Sequence, residues 1–248
     1  MNNFINNLFA FIKAPVWGKD ANISSIQKLK KILYALLFYF VFVIGAAFLM
    51  VPINALLKQY FHVDLLTVHK DTFKEMFRRL GTEKALFFVI IFGPVIEETI
   101  FRLWLGLNKY FIAVSVVLIT LTLAASFSHH GLLSSHFSII VVLVSIAAGT
   151  LALIFASGKN LTGMRNRYFK YLYYLSVLSF GLIHISNFSP IHYAIFWAYP
   201  FFILPQLGLG FISGFIRTKY GFIWGIMLHV LINFLGSVAD IVKFFHHF

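Results

Sequence analysis

Three short stretches of this 248-residue chain place ionisable or amide side chains inside otherwise apolar sequence. The first is GPVIEETIFR, from Gly93 to Arg102, with Glu97, Glu98 and Arg102. On a helix Glu98 and Arg102 are four residues apart and share a face, whereas Glu97 points about 100° away. The economical arrangement is a Glu98–Arg102 ion pair that leaves Glu97 for another partner. The competing arrangement is one buried network of all three charges. Pro94 suits the first turn of a helical segment, which puts Glu97 near its start. The second stretch is SFGLIHISNF, from Ser179 to Phe188, where Phe180 lies four residues before His184 and its ring can pack beneath the imidazole. The third is GIMLHVLINF, from Gly225 to Phe234, where His229 and Asn233 share a helical face. They can offer an imidazole N–H and an amide NH2 to one point.

Taken singly, His184 reads equally as a core histidine bonded to a neighbour, and the His229–Asn233 pair as a clamp between helices. Taken together, the residues comprise a carboxylate base, an imidazole partner and two donors for a developing negative oxygen. That is the equipment of a hydrolytic site that activates water. No serine carries a nucleophile signature and no HExxH occurs. The absence of cysteine excludes disulfides, thiolate zinc sites and thiol catalysis.

The elements that must position these groups are apolar helices. Hydrophobic residues make up 60% of the chain and charged residues only 11%, against about 25% in an ordinary soluble domain. The mean hydropathy is +0.87. These values argue against a disordered chain and against a soluble enzyme. Apolar runs occur at about 31–57, 85–107, 111–128, 137–157, 168–187, 191–216 and 222–245. Backbone groups in lipid must pair internally and no barrel-like alternation appears, so the runs are expected to be helices. The expected fold is all-α, a polytopic membrane bundle of about seven (six to eight) transmembrane helices with no room for a soluble domain. Residues 1–27 form an N-terminal interfacial segment, amphipathic from Phe4 to Trp17, and 28–248 a single transmembrane helical domain. The first 30 residues do not read as a cleavable signal. Residues 58–84 predict an amphipathic surface helix, with Leu66, His69, Phe73, Met76, Phe77 and Leu80 at helical spacing. Pro200 and Pro205 should kink the sixth span. Gly210/Gly214 and Gly221/Gly225 have the spacing of close helix contact.

An ionisable group inside such a span costs roughly 2.5–3.5 kcal/mol on insertion scales, which marks the three stretches as functional candidates. Lys and Arg total 20 against 8 Asp and Glu, a formal net charge of +12. In this context the excess reads as basic loops facing an anionic cytoplasmic leaflet, with no nucleic-acid partner. With the N-terminus in the cytoplasm, Lys13, Lys19, Lys28, Lys30, Lys31, Lys109, Lys159, Arg165, Arg167, Lys170, Arg217 and Lys219 all fall on that side. The opposing loops at 129–136 and 188–190 hold no Lys or Arg; the misfit is 58–84, with six basic and four acidic residues. The expected location is a cell membrane, and the composition, rich in Phe, Ile, Lys and Asn, suits a bacterial one.

The three stretches resemble the CAAX-protease and bacteriocin-processing (Abi, CPBP) family of intramembrane proteases. The family's EExxxR motif is matched by Glu97, Glu98 and Arg102, its FxxxH motif by Phe180 and His184, and its HxxxN motif by His229 and Asn233. The likeness covers about 85–107 and 168–238, including the approach LGFISGFIRTKYGFIWGIMLHVLINF. Members commonly separate the first two motifs by one helix and turn. Here the separation is much longer, and 108–167 holds two apparent spans, which read as an inserted hairpin. Two added helices keep the Glu97 and His184 helices antiparallel. His129 and His130 are rival positions for the second motif, but neither has a Phe four residues earlier.

The resemblance implies a glutamate-type intramembrane endopeptidase that acts on a membrane-associated peptide or protein and needs no cofactor. Glu97, helped by His184, would deprotonate a water. His229 and Asn233 would form the oxyanion hole, and Glu98 with Arg102 would hold the helix. It leaves a zinc site of Glu97, His184 and His229 as the alternative. Outside proteolysis, the alternative readings are a proton-coupled transporter and a non-catalytic immunity or binding protein on this scaffold.

Overall fold

A computed structural model describes residues 1–20, 23–127, 135–155, 158–238 and 241–242. The described residues are predominantly helical, with no strand among them. The helices are α1 (Asn2–Lys13), α2 (Ser25–Phe61), α3 (Leu65–Leu80), α4 (Thr82–Phe87), α5 (Gly93–Arg102), α6 (Lys109–Phe127), α7 (Ser135–Phe155), α8 (Gly158–Ile183), α9 (Tyr199–Phe202), α10 (Leu204–Tyr220) and α11 (Phe222–Gly236). A π-helical turn, Phe88–Phe92, joins α4 to α5, and 3-10 segments cover Leu103–Gly106, His184–Phe188 and Tyr193–Ala198.

The long second helix starts on a capping box. The Ser24 hydroxyl accepts the Gln27 N–H, and the Gln27 side chain accepts the Ser24 N–H in return. By length and apolar character α2 is able to cross a bilayer. The pair Tyr193–Phe202 and Leu204–Tyr220, bent by 43°, qualifies as a second span if its two pieces are counted as one. The seven apolar runs therefore do not become seven long helices among the described residues. The run at 85–107 is divided by the π turn and by the 3-10 turn that follows Arg102. Pro200 and Pro205 sit at the first positions of α9 and α10, where a missing N–H is harmless.

The apolar face of α1, within the N-terminal segment, packs on protein. Phe4, Leu8 and Phe11 are buried, and Phe11 meets the rings of Tyr173 and Phe215 edge-on. The Tyr174 hydroxyl also donates to the Ile12 carbonyl. Arg217, placed above in a cytoplasmic loop, lies on α10 and is only 3% exposed. Helix α10 continues through Tyr220, past the end of the apolar run, and carries Arg217 inward.

Helix α10 is the centre of the packing and touches α1, α2, α8 and α11. Small residues permit this. A Cβ on Gly210 would lie 3.1 Å from Val177, and one on Gly214 would lie 2.7 Å from Tyr173, both on α8. Helices α6 and α7 pair mainly with each other, as a hairpin joined to the rest through α5 and the Leu103–Gly106 turn. The amphipathic helix expected within 58–84 is α3. Its N-cap Asp64 accepts the Thr67 N–H and the Asn54 amide, and is ion-paired with Lys58.

Candidate functional site

Glu98 is the most enclosed group of the site. It is fully buried on α5, and one of its oxygens, Oε1, takes three partners from three helices. Arg102 is ion-paired to it, Ser213 of α10 donates at 2.9 Å, and Nδ1 of His229 on α11 lies at 3.0 Å. The pairing predicted by the four-residue spacing is present, inside a larger network. Oε2 lies against Gly225, where an added Cβ would approach it to 3.4 Å. Ser213, which donates to Glu98, and Gly225, which adjoins it, lie outside the three motifs. Ser213 lies four residues before Arg217 on the same face of α10, which is the signal available in the sequence.

Glu97 faces the other way. Its side chain is 31% exposed, and Oε2 lies 3.6 Å from Nε2 of His229 and 3.9 Å from Nε2 of His184. His229 thus stands between the two glutamates, with one ring nitrogen on each. Nδ1 facing the Glu98 carboxylate carries a hydrogen, so a proton on Nε2 as well makes His229 a donor toward Glu97. His184 begins the 3-10 segment at the end of α8, and its Nδ1–H donates to the Phe180 carbonyl at 2.7 Å. That bond fixes the ring so that Nε2 is directed at Glu97.

Phe180 is the platform for all of this. Its ring lies 4.7 Å from that of His184, meets the ring of His229 edge-on at 5.8 Å and carries the Arg102 guanidinium at 4.0 Å. One aromatic ring therefore orients both histidines and covers the buried cation.

Asn233 has one amide hydrogen engaged on the backbone. Its amide donates to the Val89 carbonyl at 2.9 Å, in the π turn before α5. A π turn leaves carbonyls without their usual helical partners, and Asn233 fills one of them. The same turn explains Gly93, where an added Cβ would lie 3.0 Å from the Phe88 carbonyl.

Helices α5 and α8 run antiparallel here: Glu97 faces His184, and further along Ser176 donates to the Phe101 carbonyl. Between them lies a groove of about 520 Å³ with Glu97 and His184 in its wall. The rest of its lining is mainly apolar, including Ile96, Ile100, Trp104 and Leu175, and Ile119 of α6 closes one side. His129 and His130 lie outside the described residues. Among the described residues, no three His, Asp or Glu side chains gather as a metal-holding group. Compared with known proteins, the chain matches no family model, no curated protein and no solved structure.

Proposed function

We propose that this chain is an intramembrane endopeptidase of the CAAX-protease and bacteriocin-processing kind, built as a polytopic bundle of about seven spans. Its substrate is a membrane-associated peptide or protein. The observation that carries this reading is the approach of His184 and the buried His229 to Glu97, from three separate elements, with Glu97 and His184 in the wall of an apolar groove. A carboxylate and two oriented imidazoles beside an apolar channel suit the hydrolysis of a peptide bond held in a hydrophobic environment.

The chemistry follows from which groups remain free. Glu98 is committed to Arg102, Ser213 and His229, so Glu97 is the base. Glu97, with Nε2 of His184 beside it, takes a proton from a water in the groove. The hydroxide oxygen bonds to the peptide carbonyl carbon, and the carbonyl oxygen becomes an oxyanion. His229, donating from Nε2, stabilises that oxyanion, together with the second amide hydrogen of Asn233 once the substrate is seated. Glu97 then returns its proton to the amide nitrogen as the C–N bond breaks. Glu98 acts through His229: its Oε1 accepts the Nδ1–H and holds the ring, so that Nε2 stays on the Glu97 side.

The exposed apolar surfaces of α2 and α7, with Val41, Ile44, Phe48, Leu143, Ile146 and Ile154 outward, support the membrane setting. The positive-inside count puts the N-terminus in the cytoplasm. Peptide-cleavage profiling of the purified protein tests the reading: wild type cuts, and Glu97→Gln does not.

A further inference from the structure

A helix leaves its last carbonyls without internal partners. At the end of α5 three of them, or their immediate neighbours, are held by side chains from three different helices. Ser115 of α6 donates to the Thr99 carbonyl at 2.8 Å, Ser176 of α8 to the Phe101 carbonyl at 2.5 Å, and Arg217 of α10 to the Leu103 carbonyl at 2.7 Å. Leu103 is the C-cap of α5, where the helix dipole also favours a cation.

Arg217 is the charged member of this clasp. It is buried, and its guanidinium lies 5.7 Å from the Trp17 ring and 5.6 Å from the Phe222 ring. Two glycines make space for it. A Cβ on Gly106 would come within 3.1 Å of Arg217 Nη2, and one on Gly225 within 3.3 Å of Arg217 Cβ. The Gly225 position also adjoins Glu98 Oε2, so Arg217 passes close to the glutamate network. Packing alone does not call for a charge here, because an apolar side chain of similar volume commonly does as well or better in a buried site. A guanidinium fixed on one carbonyl sets direction, which an apolar contact does not.

We infer that Arg217, with Ser176 and Ser115 beside it, is a positioning residue that pins the end of α5 and so fixes how Glu97 meets His184 and His229. The inference rests on the hydrolytic reading above. Helix α5 is only 10 residues long and follows a π turn, so its rotation is set by the Glu98 network on one side and by this clasp at its end.

The test uses Arg217→Gln, which keeps a donor and loses the charge, and Arg217→Lys, which keeps the charge. Both are measured as full-length protein in lipid nanodiscs, with turnover expressed per folded molecule. Misplacement of a reacting group by about 1 Å is worth about 10²-fold, so Arg217→Gln should lower kcat about 10²-fold with KM changed less than about twofold. Arg217→Lys should recover most of the loss. An unchanged kcat, a loss carried by KM, or equal loss in both variants overturns the inference. If Arg217→Gln does not accumulate, Ser176→Ala carries the same expectation in reduced size, and unchanged kcat there overturns it.

Amide hydrogen exchange supplies an arm independent of cleavage. Exchange over 98–107 should accelerate in Arg217→Gln relative to α2 and stay near wild type in Arg217→Lys. Unaltered exchange overturns the pinning role whether or not any peptide is cut. Accelerated exchange in a protein whose wild type cleaves no better than Glu97→Gln leaves the pinning intact and rejects the hydrolytic reading.

Discussion

The two adjacent glutamates should respond to the same substitution in opposite ways. Glu98 is fully buried and bonded to Arg102, Ser213 and His229. Glu98→Gln removes the counter-charge of Arg102, whose side chain is also 0% exposed. Breaking a buried pair from one side typically costs about 3–5 kcal/mol. The Phe180 face at 4.0 Å is the cation's remaining support, and a desolvated cation–π contact is worth about 2 kcal/mol, too little to replace a carboxylate. At about 2–4 °C per kcal/mol for a chain of this length, Tm should fall by about 6–20 °C. Glu97 is partly exposed and makes no close ion pair, its nearest imidazole nitrogen lying at 3.6 Å. Glu97→Gln should therefore leave Tm within a few degrees while turnover falls about 10²–10⁴-fold, the usual worth of a general base. Differential scanning fluorimetry in detergent, paired with a cleavage assay, reads both quantities. A stable but inactive Glu98→Gln beside an unstable Glu97→Gln would falsify the assignment and make Glu98 the base.

Three further outcomes are expected. Phe180→Ala removes the ring under Arg102, His184 and His229, so it should destabilise by about 3–5 kcal/mol, and the larger Phe180→Leu should retain stability but lose turnover; equal stability of both alanine and wild type contradicts the platform role. Asp64, outside the apolar helices, is pushed down to about 2, first by the Asn54 amide and then by the Thr67 N–H. A depressed carboxyl contributes stability that is present above its unfolded value of about 3.9 and lost as pH falls through about 2; exchange over α3 should therefore rise on acidification across that window, and Asp64→Asn should flatten the rise. Changing His129 and His130 together to Ala should leave turnover near wild type, because Nε2 of His184 already faces Glu97; a loss matching His184→Ala would move the second motif into 128–134.

The chemistry of the site was more legible than its support. Glu98–Arg102, Phe180–His184 and His229–Asn233 are each four residues apart, and a helix converts that spacing directly into a shared face. What each face meets follows less directly, because a spacing fixes a face but not its partner. Asn233 was free to aim at the groove or at a backbone carbonyl, and the π turn at Phe88–Phe92 offers the carbonyl. Arg217 ends an apolar run and precedes Thr-Lys-Tyr-Gly, which reads as a loop charge until α10 is seen to run through Tyr220. The amphipathic stretch from Phe4 to Trp17 reads as interfacial, and a stripe such as Phe4, Leu8 and Phe11 looks the same in sequence whether lipid or Phe215 and Tyr173 covers it. Hydropathy averages across the π turn and the 3-10 turn that divide 85–107, so the break in that run is not legible from it.

The central claim, that Glu97 activates water for peptide hydrolysis, is tested most directly by mass-spectrometric cleavage profiling of a membrane-peptide library with purified full-length protein, run beside Glu97→Gln and His184→Ala. Wild type should release new termini at a defined set of bonds, incorporating one 18O from labelled water into each new carboxylate, and both variants should release none above background. Cleavage that persists at the same bonds in Glu97→Gln, or wild-type protein that cuts nothing while correctly folded, contradicts the claim.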